Sequence, residues 1–108
     1  MVRYAAPRVF HVMDEPVFVS PLHHAGDTLR LHNAPVLAVV ENGSLVGTVR
    51  RRSLLAAEPS TPVGELMEPP SSVQIDQVVP EAGSLDDDPV AVTDEKGRML
   101  GTLRLASL

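Results

Sequence analysis

Two arginine and serine pairs occupy matching positions in the two halves of this chain. Arg50 and Ser53 follow a short aliphatic run that opens at Gly47, and Arg104 and Ser107 follow a similar run 54 positions later. Each pair stands where a strand is expected to give way to a helix, so that backbone N–H groups and a cation point at one spot. A guanidinium also binds an anion through two parallel hydrogen bonds. These four residues are the predicted ligand-binding residues, and the predicted ligand is anionic.

A second interpretation of the same arginines stays open. Three consecutive arginines, residues 50–52, face the positive end of the predicted helix, which is unfavourable unless an anion or a carboxylate lies there. An arginine also cannot accept hydrogen bonds from the unpaired N–H groups of a helix start. The alternative is therefore that these side chains reach solvent, or carboxylates across an interface, and hold no ligand.

Other polar clusters do not predict a metal site or a catalytic site. His23 and His24 would point about 100° apart on a helix, although His24 and Asp27 form a candidate ligand pair. Asp86–Asp88 lacks the alternating carboxylates and the glycine of a calcium loop. The chain has no cysteine and no Gly-x-Ser-x-Gly sequence. We therefore expect no metal site and no enzyme activity.

Composition and charge narrow the class of protein. Net charge is −5 and aromatic residues make up 3% of the chain, so neither nucleic-acid binding nor base stacking is expected. Residues 1–57 hold six arginines and four carboxylates (+2), whereas residues 58–108 hold three cations and ten carboxylates (−7). This split predicts a homodimer in which unlike halves face each other, with the arginines at 50–52 near Glu81 or Asp86–Asp88. The absence of cysteines, of a signal peptide and of an 18-residue apolar run favours a cytoplasmic protein that does not enter a membrane.

The positions of the two arginines follow from a tandem repeat. Residues 9–54 placed on residues 63–108 without a gap give fourteen identities. A repeat of this length is a supersecondary unit. Units of about 50 residues bury too little surface to be stable alone, so the two copies are expected to share a core. We expect repeat 1 at residues 8–57, a linker at 58–62 and repeat 2 at 63–108, with the last helix cut short.

Hydrophobic patterns predict the same order of elements in both copies. Ser20 is expected to cap a helix that presents Leu22, Ala25, Leu29 and His32 on one face. In repeat 1 we also expect a helical turn at 9–13, strands at 17–19, 36–40 and 45–50, an Asn-Gly hairpin turn at 41–44 and a helix at 53–57. In repeat 2 we expect a turn at 63–67, strands at 73–75, 89–92 and 99–104, and a helical face formed by Val78, Ala82 and Leu85.

This order of elements resembles the cystathionine-β-synthase-type (CBS) domain pair, also called a Bateman module. The resemblance covers residues 8–108 and lies in the order of short motifs that occur twice. These motifs are Val12-Met13-Asp14-Glu15-Pro16 and Leu66-Met67-Glu68-Pro69-Pro70, Pro35-Val36 and Pro89-Val90, and the segments 42–47 and 96–101. The resemblance implies an α+β fold of tandem β-α-β-β-α repeats packed about a pseudo-twofold axis, with shortened helices.

The resemblance also implies a function. Many CBS pairs are sensory modules that bind adenine nucleotides or S-adenosylmethionine in clefts between the repeats. Nucleotide binders of the family place Ser or Thr and then Asp where this chain has Arg50 and Ser53, and Arg104 and Ser107. One serine hydroxyl is a weaker partner for two ribose hydroxyls than a carboxylate. The sequence thus predicts a regulatory module that binds AMP, ADP, ATP, S-adenosylmethionine or another anionic metabolite. The alternative is a degenerate pair without ligand that serves as a dimerisation or protein-interaction module.

Overall fold

The computed structural model describes residues 8–80 and 89–104. Short helices alternate with short strands throughout this part of the chain. The elements are α1 (Val9–Val12), β1 (Phe18–Val19), α2 (Ala25–Leu31), β2 (Val36–Glu41), β3 (Ser44–Arg50), α3 (Arg51–Ala56), a 3₁₀ turn (Val63–Glu65), β4 (Ser72–Gln74), β5 (Val90–Thr93) and β6 (Met99–Leu103).

The strands form two three-stranded sheets of the same design. One sheet has the order β1-β2-β3 and the other β4-β5-β6. In each sheet the first strand runs parallel to the middle strand, and the last strand returns antiparallel through a hairpin. The middle strands are mostly buried, as their continuous apolar sequence predicts. The predicted α+β fold of two similar repeats is confirmed.

The two hairpins differ in length by one residue. Seven residues (40–46) join Val39 to its partner Gly47, and eight residues (93–100) join Val92 to its partner Gly101. The middle strands are therefore equivalent at a spacing of 53, whereas the outer strands keep the spacing of 54. The ungapped alignment of the repeats is wrong at this point, because β5 lies one residue earlier than it requires. Val73 and its partner Val92 are 19 residues apart, against 20 for Val19 and Val39, and the longer second hairpin restores the spacing of 54.

Each repeat completes the core of the other repeat. Val63 from the 3₁₀ turn lies in the core of the first sheet, against residues such as Val19 and Val39, and is fully buried. Val9 from α1 lies in the core of the second sheet in the same way. Backbone hydrogen bonds fix both exchanges: Val63 N donates to His23 O at 2.7 Å and Val9 N donates to Gln77 O at 2.9 Å. The cores are thus shared, as the small size of one repeat predicts.

A pseudo-twofold axis passes between the two hairpins. Leu45 N donates to Gly97 O and Met99 N donates to Gly43 O, each at 3.0 Å. These two bonds are equivalent under the 54-residue spacing, and together they bridge Ser44 to Arg98. The predicted packing about a pseudo-twofold axis is therefore observed directly in the hydrogen bonds.

A second pair of equivalent bridges joins each outer strand to the other repeat. The backbone of Asp14 exchanges two hydrogen bonds with Thr102, and the backbone of Glu68 exchanges two with Thr48, at 2.7 and 3.0 Å in both cases. The backbones of Asp14 and Glu68 therefore occupy equivalent positions, each beside the last strand of the other repeat.

The predicted start of α2 is wrong. The helix begins at Ala25 after His24 as its N-cap, not at Ser20, and Leu22 is 82% exposed instead of lying on a buried face. The cause is tertiary: the carbonyls of Pro21 and His23 accept hydrogen bonds from Gly64 and Val63. These bonds take two of the carbonyls that a helix starting at Ser20 would need, and the segment instead forms a turn in which His23 N donates to Ser20 O.

Two smaller differences concern the other helices. The helix expected at 53–57 begins at Arg51, directly after β3. The helical face expected in repeat 2 falls mostly on residues 81–88, which lie outside the described residues, and Val78 itself bridges to Arg8 rather than starting a helix. Within residues 8–80 and 89–104, no helix is long and apolar enough to cross a membrane.

Candidate functional site

A cleft lies where the two middle strands approach each other. Its volume is about 50 Å³, small against the range of about 300 to 1,000 Å³ typical of small-molecule pockets, and it reaches about 360 Å³ only when open solvent at its mouth is counted. The walls are mainly aliphatic, with one hydroxyl and one guanidinium. The lining residues are Val17, Ala34, Val36, Leu37, Ala38, Pro89, Val90, Ala91, Met99, Thr102 and Arg104.

Thr102 and Arg104 are the polar side chains of this cleft. The Thr102 Oγ1 accepts a hydrogen bond from Val17 N at 3.0 Å, which ties the segment before β1 to the end of β6. Arg104 directly follows β6 and is exposed. Among the described residues it makes no ion pair, so within that part of the chain its guanidinium donors are available to an anion. The structure therefore places one of the two predicted arginines in an apolar cleft.

The other arginine meets a carboxylate of the same chain. Arg50 Nε donates to Glu68 Oε2 at 3.0 Å, and the Arg50 side chain is 24% exposed. The Thr48 Oγ1 accepts a hydrogen bond from Ser71 N at 3.4 Å, which is the equivalent of the Thr102 contact with Val17. At Arg50 the structure thus shows the contact that the second interpretation of the arginines described, a carboxylate across the interface between repeats.

The two predicted serines are less informative. Ser53 lies in the first turns of α3 and is half-buried, and Ser107 lies outside the described residues. Arg50 is the N-cap of α3 and makes no side-chain capping bond, as expected for a side chain without an acceptor. That Ser53 and Ser107 contact a ligand stays a prediction.

Three residues that contact these places were not predicted from the sequence. Thr48 and Thr102 are identical under the repeat alignment, so a signal for them was present. The role of Glu68 had no such signal, because the matching residue is Asp14 and neither is close to an arginine in the sequence. Glu68 reaches Arg50 only because its backbone pairs with Thr48, two residues earlier on β3.

Two of the histidines accept local hydrogen bonds from the backbone. His11 Nδ1 accepts a hydrogen bond from Arg8 N, and His23 Nδ1 accepts one from Ser20 N. Asp27, the candidate partner of His24, forms an ion pair with Arg30. In residues 8–80 and 89–104 there is no group of three metal-ligating side chains.

The fold consists of two intertwined repeats, and solved structures with this architecture are CBS domains. The cytosolic domain of the Mg²⁺ channel MgtE in complex with ATP is 28% identical, with a TM-score of 0.80, over 96% of this chain and 48% of that chain. CBSX2 in complex with AMP is 25% identical, with a TM-score of 0.77, over 92% of this chain and 90% of that chain. A putative acetoin utilization protein (AcuB) from Vibrio cholerae is 21% identical, with a TM-score of 0.81, over 94% and 87%.

The chain is therefore a CBS-domain pair in its fold, and the resemblance seen in the sequence is confirmed. It spans about half the length of the MgtE cytosolic domain that it matches. No protein-family model matches the sequence, and no curated protein matches it. At these levels of sequence identity the similarity lies in the backbone architecture.

Proposed function

We propose that this CBS pair is a regulatory module that binds an adenine nucleotide or another anionic metabolite in the cleft beside Arg104. The observation that carries the proposal is an aliphatic cleft with one exposed guanidinium at its edge. MgtE with ATP and CBSX2 with AMP, both similar in structure, support the choice of adenine nucleotides as ligands. We propose no catalytic step, since the cleft lining offers a hydroxyl and a guanidinium but no general base.

The chemistry of the cleft fits a ligand with an apolar ring and an anionic end. Aliphatic side chains of Val36, Leu37 and Val90 offer an apolar surface to a planar ring, whose burial is favourable by about 25 cal/mol per Å². Arg104 offers two parallel hydrogen bonds to a phosphate or carboxylate. Ser107 and, at the other arginine, Arg50 and Ser53 remain proposed contacts. S-adenosylmethionine is the proposed alternative to AMP, ADP and ATP.

A ligand at this place would act as a regulator by joining the two repeats. The cleft is lined by both middle strands, β2 and β5, so that one ligand contacts both sheets. A ligand that contacts both sheets favours the arrangement in which they are correctly spaced. This proposal includes a cytoplasmic location for the module, where such nucleotides are available.

A second candidate function is an interaction module without ligand. Three leucines on or beside the helices of repeat 1 favour it: Leu22, Leu31 and Leu55 are 82%, 75% and 64% exposed. Leu31 and Leu55 lie on α2 and α3, which pack against each other, and large exposed apolar patches mark interaction surfaces. We propose a second copy of the chain as the occupant, because the charges of the two halves, +2 and −7, are complementary. In the expected orientation the arginines at 50–52 face the acidic residues of the partner.

A thermal-shift measurement tests the first function. AMP, ADP, ATP and S-adenosylmethionine are added singly at millimolar concentration to the wild-type chain and to Arg104→Ala. A ligand at 100 times its dissociation constant stabilises the folded state by about 2.7 kcal/mol. We expect a rise in melting temperature that Arg104→Ala abolishes and Lys96→Ala keeps, since Lys96 is an exposed cation of the hairpin, outside the cleft. No shift with any of the four ligands would contradict the binding function.

A further inference from the structure

The pseudo-twofold axis gives the two arginines equivalent surroundings. Arg50 and Arg104 each end the last strand of a sheet, and each follows a threonine that accepts a hydrogen bond from the segment before the other repeat's first strand. Residues of both middle strands, β2 and β5, line the cleft beside Arg104. Arg104 lies in the lining of the cleft, and the pseudo-twofold relation gives Arg50 the equivalent position; we call these places the Arg104 mouth and the Arg50 mouth.

The acidic side chains at the two mouths differ by one methylene group. Glu68 and Asp14 occupy equivalent backbone positions, paired with Thr48 and Thr102 through hydrogen bonds of the same lengths. The Glu68 carboxylate reaches Arg50 at 3.0 Å. The shorter Asp14 side chain makes no ion pair with any residue in the described ranges, 8–80 and 89–104. Equivalent backbones with side chains of different length thus give a guanidinium that meets a carboxylate and one that does not.

We infer that Glu68 is a specificity-determining residue, which competes with anionic ligands for Arg50 and so directs them to the Arg104 mouth. The inference rests on the proposed function, because it assumes that the chain binds an anion. A ligand at the Arg50 mouth must first displace the Glu68 carboxylate, and its apparent affinity falls by the fraction of molecules in which the pair is open. The Glu68 side chain is 51% exposed, so the pair alone weakens binding by about fivefold or less. Repulsion between the displaced carboxylate and the anion adds to this effect.

The inference predicts that the choice of mouth follows the length of the acidic side chain. Glu68→Gln removes the charge and keeps the backbone pairing with Thr48, so it should remove the competing carboxylate from the Arg50 mouth. Asp14→Glu adds the missing methylene, so it should let a carboxylate reach Arg104. The two substitutions should have opposite effects on binding, although both change one acidic position at the same interface.

Isothermal titration with AMP, ADP and ATP tests this in the full chain. We expect one strong site in the wild type, and binding at least about threefold weaker in Asp14→Glu, in line with the modest strength of a part-exposed ion pair. Arg104→Ala should lose the strong site, and adding Glu68→Gln to it should restore binding by at least about threefold. A further Arg50→Ala should remove the restored binding. Glu65→Gln in place of Glu68→Gln is the matched control, because Glu65 is an exposed acid of the nearby 3₁₀ turn, and it should restore nothing.

The outcomes separate this inference from the proposed function. If wild type binds and Arg104→Ala abolishes binding, but Glu68→Gln does not restore it, the inference is wrong and the proposed site stands. If the wild type binds two ligands with equal affinity, Glu68 does not select between the mouths and the inference is again wrong. If neither the wild type nor Glu68→Gln binds any of the three nucleotides, both are overturned. The circular dichroism spectrum of each variant should match that of the wild type. If Arg104→Ala loses this spectrum, Arg104→Gln is used in its place.

Discussion

Gly47 lies so close to Met67 that a Cβ built on the glycine would be 2.7 Å from the methionine Sδ. The same relationship holds at the equivalent place, where a Cβ on Gly101 would lie 2.9 Å from Met13 Sδ and 2.7 Å from Asp14 O. In both copies, therefore, the glycine of the last strand packs against the methionine that precedes the first strand of the other repeat. This explains why the two residue types recur together in both copies.

Gly47→Ala should destabilise the fold, because the methionine and the backbone beside it must move to admit a Cβ. Overpacking of this kind costs about 1 to 3 kcal/mol of unfolding free energy, measured by urea denaturation. Met67→Ala removes the closest atom, so the two substitutions together should cost less than the sum of their separate costs.

Gly43→Ala is the control for this pair. Gly43 has φ +81°, and a Cβ added there would meet no atom within 4 Å, so its cost comes from the backbone alone. Adding Met67→Ala should leave that cost unchanged. Strict additivity of Gly47→Ala and Met67→Ala would contradict the proposed contact.

Val63→Ala should destabilise the sheet of repeat 1, although Val63 belongs to repeat 2 in the sequence. A fully buried aliphatic side chain shortened to alanine costs about 2 kcal/mol, and Val9→Ala should cost a similar amount. Because each core needs a residue of the other repeat, both substitutions should lower the midpoint of a single cooperative transition.

Val78→Ala is the control, since Val78 is 42% exposed and should cost less than about 0.5 kcal/mol. The measurement is urea unfolding followed by circular dichroism and, in parallel, by proteolysis. Two separate transitions, with Val63→Ala shifting one and Val9→Ala the other, would show that the cores unfold independently.

The hairpin between β5 and β6 should contribute stability that depends on pH. The backbone N–H of Arg98 is the largest cause that lowers the pKa of Asp94; desolvation opposes it, and the Arg98 side chain and Lys96 N–H lower the pKa further. A lowered pKa in the folded state means that the ionised form is stabilised. The contribution is present above the ordinary pKa of an aspartate, about 4, and is lost as pH falls through the lower folded value.

Asp94→Asn should therefore lower the melting temperature near neutral pH, and the difference from wild type should shrink towards pH 3. Glu95→Gln is the matched control, because Glu95 is the exposed neighbour in the same turn. The Asp94 titration can be followed by NMR of its side-chain carboxyl. A midpoint at or above the ordinary pKa of an aspartate, about 4, would contradict the assignment.

The proposed homodimer should depend on the exposed leucines and on salt. Light scattering of the wild type at about 50 µM should give twice the monomer mass, since association follows concentration. Leu31→Glu together with Leu55→Glu should give a monomer, whereas Leu100→Glu, on the hairpin and 37% exposed, should not. A monomeric wild type would end the dimer proposal, and a dimer unchanged by 1 M salt, where screening is nearly complete, would remove the electrostatic argument for its orientation.

Local sequence patterns predicted the secondary-structure elements that are determined by residues close together in the sequence. The Asn-Gly turn is one, since Asn42 and Gly43 have φ 53° and +81° as such hairpins require. The buried middle strands are another, because their apolar runs have no other place in a small fold. The start of α2 was not predictable in this way, since it is fixed by hydrogen bonds to residues about 40 positions later in the chain.

The candidate site was predictable only in part for the same reason. Repetition of the sequence marked Arg50 and Arg104 as equivalent, and only the folded chain shows that one of them meets Glu68. The extra residue in the second hairpin could not be located either, because the ungapped alignment also places Pro35 on Pro89 and Val36 on Val90. Identity of residue type at those positions hid a change of register.

The exchanged turns at Val9 and Val63 have a consequence for the origin of the chain. The backbone hydrogen bonds that join the first turn to the opposite repeat have counterparts 54 residues away, which is the rule for residues that meet across an isologous dimer. A single ancestral copy with these contacts would have been one protomer of such a dimer, with its first turn packed in the core of the other protomer. Duplication and fusion would then have joined two protomers that already depended on each other. Two fragments separated at the linker, residues 58–62, would each still carry the turn that completes the core of the other. They should therefore associate when they are mixed.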